Sequence, residues 1–238
     1  MFNKEELGGW LVKVGSKIEK QLNIYMIGGC ALSFKGLKET TKDIDIIIES
    51  QRDFDVLDSA IKKADFKIKT DLEDEFYLTA LAVYMKGDDS RIDVFLKQVG
   101  KMLNLTQSMI KRADFFQDYD KLSVYLISFE DIFLFKSMSS RKGDIEDCDR
   151  IMRRGIDYNI IYKEIMEQSK EEGKKWFFWA YESLCRLENH NSIRVPIKNK
   201  VFALVKEHWK DRPSDFMSDI ENIENHILDK KLLRDTKR

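Results

Sequence analysis

The chain has 238 residues, of which 43 % are hydrophobic and 11 % aromatic, with a net charge of −1 at pH 7. That length and apolar content describe a folded protein with one large or two modest cores, and they exclude a disordered or strongly basic nucleic-acid-coating chain. The N-terminal MFNKEELGGW lacks an apolar leader segment and no apolar run reaches the ~18 residues of a membrane span, so a cytoplasmic protein without a membrane is expected. Cys30, Cys148 and Cys185 are scattered without metal-ligand spacing, which fits free thiols in a reducing compartment.

In chain order, residues 4–21 read as an amphipathic helix weakened by Gly8, Gly9 and Gly15. A short apolar strand follows at 24–28, then a brief helix near 31–35 and a second strand at 43–49. Ser50, with Asp53 three residues on, predicts a capped helix running to about residue 64. Residues 76–85 and 91–96 read as strands joined by the turn-like Lys86-Gly87-Asp88-Asp89-Ser90, hence an antiparallel hairpin. Another helix is expected over 105–116 and a strand over 122–127. Beyond 128 strand signals nearly vanish and 129–237 reads as successive helices. The expected organisation is α+β: a domain over 1–128 with a mixed β-sheet and flanking helices, then an all-helical domain over 129–238.

The stretch from Ile24 to Ile48, IYMIGGCALSFKGLKETTKDIDIII, sets two aspartates into a strand of isoleucines. Alternation puts Ile44, Ile46 and Ile48 on one face and Asp43 and Asp45 on the other. The two carboxylates then stand ~6–7 Å apart along the backbone, within reach of one small cation. A solvated edge-strand face would tolerate the same pattern. Upstream, Gly28 and Gly29 end a strand and open a helix, where bare backbone N–H groups can approach an anion, although many strand-to-helix turns contain such a pair. In RIDVF the pattern repeats, with Arg91, Asp93 and Phe95 on one face and Ile92, Val94 and Leu96 on the other. Three strand aspartates beside a phosphate-ready turn make a site for Mg²⁺ and a nucleoside triphosphate.

This pattern (apolar-Gly-Gly, Asp-Ile-Asp, then a later strand aspartate) resembles the nucleotidyltransferase superfamily typified by DNA polymerase beta, over about residues 24–150. The resemblance implies that Asp43, Asp45 and Asp93 bind Mg²⁺, for which Mn²⁺ can substitute, and that Asp93 serves the attacking hydroxyl. It implies too that Gly28 and Gly29 cradle phosphates, with Thr41 beside the acidic strand. The segment SFEDIFLFKSMSSRKGDIEDCDRI, from Ser128 to Ile151, resembles the helix-loop-helix of AbiEii-type and MenT-type toxin nucleotidyltransferases. There the order Lys136, Arg141, Asp144, Asp147 implies a lysine and an arginine at the triphosphate, with Asp147 beside them. Capping boxes at Ser128/Asp131 and Asp144/Asp147 account for part of that segment without chemistry. Cys30, Ala31 and Leu32 stand where the tRNA CCA-adding branch carries Arg-Asp, which counts against that branch.

The resemblance implies transfer of a nucleoside monophosphate from ATP or another triphosphate to an acceptor hydroxyl, an RNA end or a protein side chain, with a neighbouring antitoxin as a partner. A small-molecule acceptor, as in antibiotic nucleotidyltransferases, and a non-catalytic module of the same fold are the rival readings. His190, His208 and His226 have no ligand spacing. Trp176, Phe177, Phe178, Trp179 and Tyr181 read as helix-packing core, and Arg150, Arg153, Arg154 and the tail from Lys230 as a solvated or RNA-facing basic rim.

Overall fold

The computed structural model describes residues 2–70, 80–87, 90–100, 103–170 and 176–210, the side chains at 90, 208 and 209 excepted. The expectations for the acidic stretch from Asp71 to Glu75, the start of the strand at 76–79, Asp88, Asp89, the His208 side chain, His226 and the basic tail lie outside those residues. By contacts the chain divides into two compact units, Met1–Phe135 and Lys136–Arg238.

The first unit is built on a seven-stranded mixed sheet. Its strands are β1 (Leu22–Ile27), β2 (Asp43–Ile48), β3 (Lys67–Ile68), β4 (Ala82–Lys86), β5 (Ser90–Leu96), β8 (Asp114–Tyr119) and β9 (Leu122–Leu126), in the order β3-β4-β5-β2-β1-β9-β8. A two-stranded ribbon, β6 (Gln98–Val99) with β7 (Leu103–Asn104), follows β5. β2 runs parallel to β5 and antiparallel to β1, and β1 runs parallel to β9. One face of the sheet is apolar across its width: Ile24 and Met26 on β1, Ile44, Ile46 and Ile48 on β2, Ile92 and Val94 on β5, and Val124 on β9 are all buried. Each such side chain contributes about 1.5–3 kcal/mol, which fixes the register and forces the aspartates onto the opposite face.

Helices α1 (Lys4–Gly15), α2 (Gly28–Phe34), α3 (Gln51–Lys63), α4 (Gln107–Arg112) and α5 (Phe129–Ser137) accompany this sheet. α1 begins in a capping box, with Asn3 Oδ1 accepting from the Glu6 N–H and Glu6 Oε2 from the Asn3 N–H. It ends at Gly15, short of residue 21. A Cβ there would meet the Tyr119 carbonyl oxygen at 2.5 Å, so the tight fit against β8 selects glycine, and the helix stops at a residue that favours stopping. The cap expected at Ser50 is present: its hydroxyl accepts from the Asp53 N–H at 3.1 Å. The hairpin of β4 and β5 also forms, pairing Lys86 with Ser90. α3 lies on the apolar face, where Tyr84 Oη donates to Asp58 Oδ1 at 2.6 Å.

The helix expected over 105–116 is a correction. Only α4 forms, and Asp114–Tyr119 becomes edge strand β8, paired antiparallel with β9 across a turn at Asp120, whose φ is +59°. Aspartate tolerates that conformation, and cross-strand pairing outweighs the weak local helical pattern.

The second unit is helical among the described residues, comprising α6 (Lys142–Arg154), α7 (Tyr158–Gln168), α8 (Trp176–Asn191) and α9 (Lys198–Trp209). Trp176 and Tyr181 are buried, Tyr181 stacking on Phe202 with centroids 4.6 Å apart, whereas Trp179 is exposed. The capping box expected at Asp144/Asp147 is the second correction: α6 has Arg141 as its N-cap with no side-chain cap bond, and Asp144 lies inside the helix. All three cysteines are free and buried. Among the described residues no helix is long and apolar enough to cross a membrane.

Candidate active site

Three sheet positions converge on the face opposite the isoleucines. The parallel register of β2 with β5 sets Asp45 directly beside Asp93 and Asp43 directly beside Arg91. On the other flank of Asp45 lies Ile27, the last residue of β1. The chain then turns at Gly28 with φ +62°, and a Cβ at that position would collide with Asp45 Oδ2. Glycine is required twice over, for the left-handed backbone and for the approach of the turn to the carboxylate. Gly28→Ala is expected to cost roughly 1–2 kcal/mol for the backbone alone, with further loss from the displaced carboxylate. Thermal melts and nucleotidyl transfer should both fall; a variant that melts and reacts like wild type would remove Gly28 from the site.

Gly29 makes the second close approach. A Cβ there would collide with Thr41 Oγ1, and Lys38 Nζ lies 3.8 Å from the same position. Thr41 is buried; its hydroxyl donates to the Asp43 carbonyl at 3.1 Å, and its backbone pairs with Phe2. It therefore pins the entry of the acidic strand. Cys30 is buried behind the turn, its thiol donating to the Ile27 carbonyl at 2.9 Å, and burial pushes its pKa well up. It is a structural residue with no thiolate to offer.

Electrostatics single out Asp93. Its side chain is 1 % exposed, and both carboxylate oxygens are buried without a hydrogen bond. Arg91 Nε is 3.1 Å from Asp93 Oδ1, an ion-pair contact without hydrogen-bond alignment, while Arg91 Nη2 is 2.5 Å from Asp43 Oδ2. Burial first, then repulsion from Asp45 and Asp43, raises the Asp93 carboxyl to about 8, with Arg91 opposing. A buried carboxylate lacking hydrogen bonds beside two more carboxylates is chemically suited to a divalent cation, which would satisfy its oxygens and ionise it. As the side chains stand, no group of three carboxylate, thiol or imidazole residues among the described ones is gathered closely enough to cage a metal.

The remaining predicted residues form a cluster within the second unit. Lys136 Nζ is 2.7 Å from Asp144 Oδ1 and 2.8 Å from Asp147 Oδ2. Arg141 Nε reaches Asp144 Oδ2 at 2.7 Å, and Arg150 Nη1 reaches Asp147 Oδ1 at 2.9 Å. Burial works against the Lys136 charge, but Asp144 and Asp147 more than offset it and hold the ammonium protonated. Asp144 is likewise opposed by burial and carried below its ordinary value by Lys136 and Arg141. The structure thus brings Gly28, Gly29, Thr41, Asp43, Asp45 and Asp93 together in one unit, and Lys136, Arg141 and Asp147 together in the other. Sequence reasoning missed Lys38 and gave Arg91 no role. The signal for Arg91 was its same-face spacing with Asp93; Lys38 carried none, because its approach to Gly29 depends on the fold of the loop.

Gly-Gly at the end of β1 and three carboxylates on the next two strands form the arrangement that a nucleotidyltransferase-type domain would present. Residues 11–186 match the family described as a nucleotidyltransferase of unknown function (DUF6036), and the chain belongs to that family. It is a transferase whose substrate is a nucleotide. A crystal structure of the lincosamide antibiotic adenylyltransferase LnuA with lincomycin bound is similar at 17 % identity and a TM-score of 0.36, covering 54 % of this chain and 85 % of that one. No curated protein matches the chain.

Proposed function

We propose that the protein transfers a nucleoside monophosphate from a triphosphate to an acceptor hydroxyl in a Mg²⁺-dependent reaction, with an RNA end as the acceptor. The observation that carries the chemistry is the register pairing Asp45 with the buried, hydrogen-bond-deprived Asp93 beside the Gly28 turn. In this reading Asp43, Asp45 and Asp93 hold the divalent cation, which supplies neutralisation of the phosphate charge and acidifies the attacking hydroxyl. Gly28 and Gly29 offer backbone N–H groups to the triphosphate, and Lys38 adds positive charge beside them. Asp93, ionised by the divalent cation, would accept the proton of the attacking hydroxyl. The hydroxyl oxygen bonds to the α-phosphorus as the bond to the bridging α–β oxygen breaks, and pyrophosphate leaves.

The RNA acceptor and the assignment to the AbiEii/MenT-type branch rest on the segment from Ser128 to Ile151. Lys136 has three N–H donors. Two of them are directed at Asp144 and Asp147 within the same unit. Exposed Arg153 and Lys142 on α6 are each paired with a carboxylate one turn away, Asp149 and Glu146, and an RNA backbone would meet them in competition with those partners. A neighbouring antitoxin belongs to the same reading.

The test offers α-phosphate-labelled ATP, CTP, GTP and UTP, with Mg²⁺, to total RNA in one reaction and to cell protein in another. Label in RNA 3′ ends is the expected result. Label in protein alone would reassign the acceptor to a side chain. Nucleotide bound with neither pool labelled would move the acceptor to a small molecule.

A further inference from the structure

We propose that Arg91 is a built-in competitor for the divalent cation at the aspartate site, and that the incoming triphosphate is what draws it away. This rests on the reading of Asp43, Asp45 and Asp93 as the cation site. Register places Arg91 across from Asp43 and two residues from Asp93 on the same strand face. From there its guanidinium touches both, Nη2 2.5 Å from Asp43 Oδ2 and Nε 3.1 Å from Asp93 Oδ1. At 19 % exposure the side chain is largely withdrawn from water, so the charge it brings to the carboxylates is poorly screened. It engages two of the three groups a metal would need, and as they stand those groups form no cage.

A divalent ion entering this site meets a fixed positive charge at the carboxylates it requires. Either it binds in spite of that charge or the guanidinium leaves, and both lower its affinity when it arrives alone. A triphosphate changes the balance because its oxygens offer the planar guanidinium a two-point partner as good as a carboxylate. Cation and nucleotide then bind with positive coupling, each raising the affinity of the other by the same factor. Free Mg²⁺ is held weakly and the Mg²⁺–nucleotide pair is held well. Lys38, beside Gly29, is a second cation at this end of the sheet.

The test is Mn²⁺ binding to the full chain, read by electron paramagnetic resonance of the free ion, with and without a non-hydrolysable α,β-methylene triphosphate. Arg91→Met is expected to bind Mn²⁺ at least tenfold more tightly than wild type in the absence of nucleotide, and to gain less when nucleotide is added. Arg91→Lys should stay near wild type, since it keeps the charge. Unchanged or weaker Mn²⁺ affinity in Arg91→Met overturns the proposal. Should that variant fail to fold, Arg91→Gln takes its place, removing the charge while keeping a polar side chain, and unchanged or weaker Mn²⁺ affinity there overturns the proposal. Asp45→Ala separates the two layers. If it binds Mn²⁺ as wild type does, the aspartate site itself is wrong; if it loses Mn²⁺ while Arg91→Met gains none, only the role of Arg91 falls.

Discussion

Asp93→Asn is expected to abolish transfer and, in the same protein, to flatten a fall in stability that the wild type shows as pH rises. The sign follows from the direction of the shift. The carboxyl starts from 3.8 and is raised to about 8 in the folded chain, so the folded state binds its proton more tightly than the unfolded state does. Between those two values the unfolded state has already ionised, and each pH unit costs the fold at most about 1.4 kcal/mol from this group. Below about pH 4 and above about pH 8 the contribution is flat. Urea melts in a chelating buffer from pH 4 to 9 should therefore show a decline for wild type that is shallower in Asp93→Asn. Parallel profiles for the two proteins would show that Asp93 is not the strained carboxyl. The activity loss from proton acceptance alone should be roughly 10²–10⁴-fold, with loss of a cation ligand adding to it.

Lys136→Met should be the most destabilising single change in the helical unit. The side chain is buried between two carboxylates, one of them fully buried, and the substitution leaves both charges without their central cation. Breaking a buried ion pair from one side costs about 3–5 kcal/mol. Arg141 and Arg150 still touch the outer oxygens of Asp144 and Asp147, which keeps the loss finite. Adding Asp147→Asn to Lys136→Met should recover part of the stability, because the orphaned charge goes with it. Chemical denaturation of the two variants checks this, and equal stability of the single and double variants would contradict the network as described.

How far the sequence carried the reading depends on which interactions are local. The acidic strand was legible because alternation alone separates Ile44, Ile46 and Ile48 from Asp43 and Asp45, and the structure buries those isoleucines. The hairpin leading into Asp93 was legible from its turn residues, and the Ser50 cap from its spacing. The pairing of Asp45 with Asp93 was not, since a parallel register between β2 and β5 is set by a long crossover and not by either strand. β8 was missed because Asp-Phe-Phe-Gln-Asp-Tyr shows no alternation, and its strand character comes from the partner it pairs with. Asp144 was misread as a cap because carboxylates near a helix start are common there; what it does instead, pairing with a lysine eight residues earlier, is a tertiary fact.

If the aspartates of β2 and β5 carry nucleotidyl transfer, removing them must stop it. Wild type and Asp43→Ala/Asp45→Ala, matched for folding by circular dichroism, would be given α-labelled triphosphates, Mg²⁺ and total RNA, with label transfer and pyrophosphate release measured together. Both products are expected from wild type and neither from the variant. Equal transfer by the two proteins would place the chemistry elsewhere in the molecule.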